Sequence, residues 1–526
     1  MSNGDAVATP GSDALNNSVA GIREEVMNHP SGLFVLFFTE MWERFSYYGM
    51  RALLVLFLVA GIADGGWGWE RADALILFGW YGSLVYLTPL IGGMIADKFT
   101  GCRNAVVIGA LLMTLGHGSL ALESEWSFYL GLLLLILGNG MFKPNISSMV
   151  GDLYKGQEGK KDSAYTIFYM GINAGAFLGI MLCGYVGETV GWHYGFGLAG
   201  IFMFFGLLQF YFSKKLFGSI GEKDDPDHLV ETADETGHEP EPKVVRERLF
   251  VIGVFAFFTI FFWMAFEQAA GSMTIFASDY TQRTLTGTWA TVFTWTNFLL
   301  TIVPIVIVTA VLYLLIRRTF KYIPLSNALL AFSFLIIWCI VIWKVQNELS
   351  ADTTEVPASW FGILNSFFII ALAPLFSKFW AGSGKNISGP TKFALGLILL
   401  GSGFGFLAYG ASSIPAGAST AAVSMIWLVL AYFMHTVGEL CLSPVGLSYV
   451  NKLSPKRLMS TMFGIWFLSS FVAHLLAGYS GSVIDSFSAE YSMSGFFLLF
   501  TAIPVVAGVV MFLLKPTLVR WMHGVH

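Results

Sequence analysis

Long apolar runs, broken by a few polar or charged residues, fill the chain from residue 32 onward. Runs long enough to cross a bilayer as a helix, roughly 20 residues at ~1.5 Å each, lie at 32–61, 73–96, 104–122, 126–150, 164–187 and 193–213. Residues 214–248 change to Lys, Asp, Glu, Pro and His, the one long polar stretch in the interior. Eight more runs follow, at 249–278, 291–316, 325–345, 359–380, 391–411, 421–450, 458–484 and 491–514, so the pattern predicts fourteen transmembrane helices. Residues 1–31 are polar and lack the basic start and short apolar core of a signal peptide; they are expected to be a disordered cytoplasmic tail.

Lysine and arginine placement orients these helices. Of the 29, 23 fall at the chain ends or on even-numbered connections, and only Arg71, Arg283 and Lys344 on odd-numbered ones. Basic residues concentrate on the cytoplasmic side, so both termini are expected there. The organisation predicted is an all-α membrane protein with an N-terminal six-helix bundle at 32–213, a cytoplasmic linker at 214–248, and a C-terminal bundle at 249–526 that includes an extra helix pair at 291–345. Two helical halves joined by a cytoplasmic linker suggest the major facilitator fold, with substrate held between them near the midplane. The connection Gly93-Met-Ile-Ala-Asp97-Lys98-Phe-Thr-Gly101-Cys-Arg103 resembles that superfamily's short cytoplasmic signature and suits a structural latch.

Composition narrows the function. With 55% hydrophobic and 12% charged residues, the chain is far from a soluble domain. The net charge of −5 forms no basic footprint, which argues against a nucleic-acid partner and leaves the lipid bilayer as the surroundings. Cys102, Cys183, Cys339 and Cys441 have neither metal-ligand nor disulfide spacing and read as small core residues. No HExxH, GxSxG or complete phosphate-binding loop occurs, so the chain is read as a secondary transporter rather than an enzyme, with no cofactor and no ATP-binding element.

The candidate chemistry centres on the first apolar run. Glu40, Glu43, Arg44, Tyr47, Tyr48 and Arg51 fall within an arc of about 140° at helical spacing. A lone charge at a helix centre costs ~2.5–3.5 kcal/mol, so this face must meet partners or water inside a bundle. Lys143, Glu267 and Glu439 are the remaining ionisable residues at membrane depth. Four carboxylates against three cations leave at least one carboxylate without a fixed partner, a candidate to carry a proton. Glu267 could pair with Arg51, and Lys143 with Glu40 or Glu43; pairs that re-form between halves would act as a gate. Pro144 and Pro444 are expected to bend or unwind their helices beside the cavity. Gly171, Gly175 and Gly179, with Gly401 and Gly405, have the spacing of close helix contacts. His117, His435 and His474 read as core residues, with His435, one turn before Glu439, the candidate for a further role.

Three segments carry a more specific likeness. Glu40-x-x-Glu43-Arg44-Phe45-x-Tyr47-Tyr48-Gly49, Phe142-Lys143-Pro144-Asn145 and Phe168-Tyr169-Met-Gly-Ile-Asn173-Ala-Gly175 resemble the signatures of the proton-dependent oligopeptide transporters. The resemblance implies a proton-coupled symporter importing di- and tripeptides, with peptide-like drugs or another small anion as the alternative cargo. It implies roles for matched positions: Arg44, Tyr48 and Lys143 for the peptide carboxylate; Asn173, Asn365 and Glu439 for its amino terminus; Tyr47, Tyr86, Trp263 and Trp466 for side-chain pockets. Glu40, Glu43, Arg44, Lys143 and Glu267 would serve proton coupling, and Arg51 with Glu267 the salt bridge between halves. A histidine that some relatives place seven residues before the position of Tyr86 is Gly79 here, which excludes coupling through it. The extra pair lies after the Glu267 helix rather than in the linker, and is expected at the periphery. A monomer in a bacterial inner membrane completes the expectation.

Overall fold

A computed structural model describes residues 24–155, 157–223, 241–351, 354–382, 384, 387–455 and 458–525. The tail at 1–23 and the linker centre at 224–240 lie outside the described residues. The long helices of the first half are α1 (Ser31–Val59), α2 (Arg71–Ile95), α3 (Gly101–Leu120), α4 (Glu125–Asp152), α5 (Glu158–Thr189) and α6 (Trp192–Phe212). The second half starts with α7 (Pro242–Phe266), a 3-10 turn at Glu267–Ala270 and the short α8 (Ser272–Ile275). Next come α9 (Gly287–Thr319), α10 (Pro324–Ser350), α11 (Ile363–Ala381), α12 (Gly389–Gly410), α13 (Ile426–Leu453), α14 (Met459–Ser482), the short α15 (Ile484–Tyr491) and α16 (Met493–Trp521).

Among the described residues, twelve helical stretches are long and apolar enough to cross a membrane by length and composition. The stretch Arg71–Leu120 holds both α2 and α3, and α1 is long enough but carries four charged residues. Each of the fourteen expected runs therefore corresponds to a helix. Helix α7 starts at Pro242 rather than at 249, because Pro at the first turn and the basic residues after it extend the helix beyond its apolar part. Residues 25–30, expected within the tail, form a two-residue hairpin pairing Glu25–Val26 with His29–Pro30. His29 Nδ1 lies 2.6 Å from the Tyr154 hydroxyl, and burial holds its imidazole below the usual range.

Close packing fixes the helices around α1. Gly171, Gly175 and Gly179 bring α5 onto it, since a β-carbon at Gly175 would overlap the Met41 carbonyl and one at Gly179 the Phe45 carbonyl. Trp42 stacks on Phe202 of α6 with centroids 4.7 Å apart. The signature connection after α2 behaves as a latch: Arg103 donates to the Gly218 carbonyl at 3.0 Å and pairs with Glu222.

The pair α9 and α10 lies at the edge of the first half. Phe334 of α10 meets Trp42 at 5.5 Å, and Ser326 donates to the Gln209 carbonyl at 2.7 Å. Lys344, expected in an outer loop, is instead fully buried in this pair. Its ammonium lies 3.0 Å from Glu348, 3.3 Å from Thr301 and 4.7 Å from the Trp360 ring centroid. Asn297 and Thr301 of α9 provide polar atoms that offset its desolvation.

Candidate functional site

The polar face of α1 is inside the protein. Glu40, Glu43 and Arg44 are 3%, 0% and 4% exposed. The Arg44 guanidinium is shared: its Nε is 2.9 Å from Glu40 and also pairs with Glu43. Asn139 of α4 donates to Glu43 at 3.0 Å, and the guanidinium lies 5.5 Å from the Tyr47 centroid. Two carboxylates around one cation leave an excess negative charge in a water-poor space. Such a cluster is disposed to accept a proton or a second cation.

The second cation at hand is Lys143. Among the described residues it makes no ion pair; its ammonium stands 4.6 Å from the Tyr86 centroid. The expected direct pairing with Glu40 or Glu43 is therefore absent in this conformation. The expected pair of Arg51 with Glu267 does form, tying α1 to the turn after α7. Glu267 sits at the start of the 3-10 turn ended by Gly271, so the irregular backbone lies beside a buried carboxylate.

Between the halves lies a cavity of about 220 Å³. Tyr48, Arg51 and Asn173 line it from α1 and α5, and Glu267, Asn365 and Glu439 from the other half. Asn365 donates to Glu439 at 3.0 Å and to Thr436 at 3.2 Å, which aims the carboxylate along one wall. Asn173 donates to the Tyr169 carbonyl at 3.0 Å, leaving its amide oxygen available. The cavity thus has amide and carboxylate acceptors on one side, and a phenol and a guanidinium on the other.

The POT family model matches residues 103–232 and 316–497. The chain is 34% identical over 516 residues to an uncharacterized transporter, YclF, of Bacillus subtilis, covering 94% of this chain and 96% of that protein. It is 32% identical over 522 residues to a di-/tripeptide transporter of Lactococcus lactis, with 94% and 97% coverage. The chain belongs to the POT family. A crystal structure of a peptide transporter POT in complex with sulfate superposes with a TM-score of 0.75 at 29% identity, covering 97% of this chain and 99% of that one. A mutant of a peptide transporter POT in complex with alafosfalin superposes with a TM-score of 0.75 at 29% identity, with the same coverage. The major facilitator fold and the transporter class follow.

Within this POT chain, the expected side-chain pockets are displaced from the cavity. Tyr47 is buried against Tyr81, with centroids 6.5 Å apart, and Trp263 packs on Phe266 at 5.1 Å. Tyr86 lies between Lys143 and His474, and Trp466 is buried beside Gly446. Arg44 and Lys143 do not line the cavity either; its aromatic walls are Tyr48, Tyr169, Phe266 and Tyr432. Tyr169 precedes Asn173 by one helical turn, a spacing that places both on one face.

Other expectations are corrected. Helices α4 and α13 run without interruption past Pro144 and Pro444. Pro144 leaves the Gly140 carbonyl without its helical donor, and Gly92 of α2 packs directly on that carbonyl. His435 faces the cavity, but neither ring nitrogen has a hydrogen-bond partner among the described residues, and its ring lies 4.5 Å from Phe404. His474, read as a core residue, lies instead 3.3 Å from Glu267. Only the packing of α14 against the turn after α7, both in the second half, reveals it, and sequence spacing carries no sign of that contact.

Proposed function

We propose that this POT-family chain is a proton-coupled symporter that imports di- and tripeptides across a bacterial cytoplasmic membrane by alternating access. Protons are its only coupling ion and it works as a monomer, with both termini in the cytoplasm. The observation that carries this reading is the sharing of Arg44 between Glu40 and Glu43 beside a cavity lined by Glu439 and Asn365.

In the conformation described, Arg44 is held by both carboxylates and turned from the cavity. A proton on Glu43 removes one of its partners. The guanidinium is then free to swing with Tyr48 and Lys143 toward a peptide carboxylate, where a charge-assisted hydrogen bond replaces the lost one. At the opposite wall Glu439 and Asn365, together with Asn173 of α5, offer acceptors to the peptide's ammonium. Both ends are common to all short peptides, so length is selected and side chains are tolerated. Peptide-like drugs with the same two ends fit the same reading, and the alafosfalin complex of a relative supports it.

The contacts between halves cluster at the ends of the helices joined by the odd-numbered connections. There Arg51 meets Glu267, Arg71 meets Asp279 and lies 2.7 Å from Asp485, and Glu188 accepts from the Ala358 and Ser359 amides at 2.8 and 2.9 Å. With the orientation given by the basic residues, this is the outer face, so the arrangement is closed outward.

Purified protein in liposomes, given an inward proton gradient and an inside-negative potential, is expected to accumulate radiolabelled dialanine. A protonophore should abolish the accumulation. Absence of accumulation, with no competition by other di- or tripeptides, would overturn the substrate assignment.

A further inference from the structure

Behind the Arg51–Glu267 pair, a third group completes a buried site. His474 of α14 is 2% exposed, and its ring is confined by Gly82 and Tyr86 of α2. A β-carbon at Gly82 would lie 2.9 Å from its Cδ2, and the Tyr86 centroid is 4.3 Å from its own. The imidazole therefore has little room to turn.

Its two nitrogens have different neighbours. Nδ1 lies 2.8 Å from the Ser470 carbonyl oxygen, which can only accept, so Nδ1 carries a hydrogen and donates it. Nε2 stands 3.3 Å from Glu267 Oε1 and makes no hydrogen bond to any described residue. With Nδ1 protonated, a neutral imidazole presents a lone pair at Nε2. An ionised carboxylate presents lone pairs too. Two acceptors facing each other without water would repel, and the geometry becomes attractive only with one proton between them.

We propose that the Glu267–His474 pair is a proton-binding site, holding one proton between Oε1 and Nε2 while the halves are closed at this end. The inference rests on the reading of the chain as a proton-coupled transporter. The charged and titratable groups around the ring are Glu267 on the turn after α7, Arg51 of α1 through that carboxylate, Tyr86 of α2, and Lys143 of α4 beyond Tyr86.

The arrangement sets the direction of proton release. Arg51 engages the other oxygen of Glu267, Oε2. Separation of the halves at this end takes Arg51 on α1 away from Glu267, and shifts α2 against α14, where Gly79 packs on Gly478 and Gly82 on the His474 ring. Entry of the proton from water protonates Nε2 or Oε1 and adds one positive charge to the site. Closure of this end holds that proton between Oε1 and Nε2, and opening of the opposite end then lets it leave Nε2 for water, returning the imidazole to its neutral Nδ1–H form. His474 acts on coupling through Glu267 and touches no substrate, so it is a positioning and proton-holding residue.

Two measurements on the full chain test the site. The first compares wild type with His474→Gln for dialanine counterflow without a gradient and for gradient-driven accumulation, across pH 5.5 to 8. Accumulation is expected to fall roughly tenfold or more relative to counterflow, the size of an ordinary coupling between two sites, and its pH profile to flatten. Equal losses in both assays with an unchanged pH profile would make His474 structural only and overturn the proposal. The second needs no substrate: nitrogen-15 histidine spectra of the protein, with the His474 signal assigned by its loss in His474→Gln. A protonated Nδ1, with Nε2 either protonated or strongly hydrogen-bonded, is expected in the closed form. A neutral ring with its hydrogen on Nε2 and a free Nδ1 would refute the site, even if peptide transport itself were established.

Discussion

At the residue scale, the placement of a charge decides what it can do. Arg44 between two carboxylates is a switchable group, whereas Lys344, held by Glu348, Thr301 and aromatic rings, is a satisfied one. Glu439 stands between these cases: one Asn365 hydrogen bond orients it, and no cation is paired with it among the described residues. Its Glu439→Gln variant is expected to lose about 2 kcal/mol for peptides with a free amino terminus, roughly thirtyfold in affinity, from loss of a charged hydrogen bond. Peptides with an acetylated amino terminus should change little. Binding competition with the two peptide types checks this, and equal losses would remove the carboxylate from amino-terminal recognition. Glu439 is legible as an ionisable residue at membrane depth, whereas Asn365 is reached only through likeness to a family. What sequence did not reveal was that Arg44, Lys143, Tyr47, Tyr86, Trp263 and Trp466 all lie off the cavity in this conformation, because rotamer and helix rotation are set by partners on other helices.

At the element scale, length and hydropathy made the helices legible, since a bilayer demands ~20 apolar residues whatever the tertiary partners are. The charged residues of α1 did not hide it, because they occupy a single face. Local irregularity was less legible. Pro144 suggests a bend or unwinding in α4, yet the helix is continuous past it, while Glu267 and Gly271 form a turn that no proline marks. The glycine spacing on α5 was a better guide, because a small-residue stripe states directly how near a neighbour can come. Gly175→Val should cost about 1–3 kcal/mol by forcing α5 from the Met41 carbonyl, lowering Tm by several degrees. Gly253→Val supplies the comparison, since no atom lies within 4 Å of a β-carbon at Gly253. Equal melting temperatures for the two variants would show that the α1–α5 contact tolerates a larger residue.

At the scale of the whole molecule, the two halves are bound together by ionic contacts at one end, and the buried acids are distributed around the cavity on both sides of it. Glu40 and Glu43 hold Arg44 on α1, and Glu267 holds Arg51 across the halves. Such an arrangement links protonation to motion because each carboxylate restrains a cation that has a second use. A peptide carboxylate can claim Arg44 once Glu43 is protonated; separation of the halves frees Glu267 from Arg51, and the carboxylate can then share a proton with His474. The extra pair α9–α10 lies outside this exchange, packed against α1 and α6 and contributing no lining to the cavity. The most direct test is to compare Glu43→Gln with wild type in proteoliposomes, measuring dialanine counterflow and proton-driven accumulation on the same preparation. Counterflow near the wild-type rate with accumulation abolished is the expected result, because a permanently neutral side chain leaves Arg44 available to peptide but removes the proton-dependent hold. Normal accumulation by Glu43→Gln would contradict coupling through the α1 cluster.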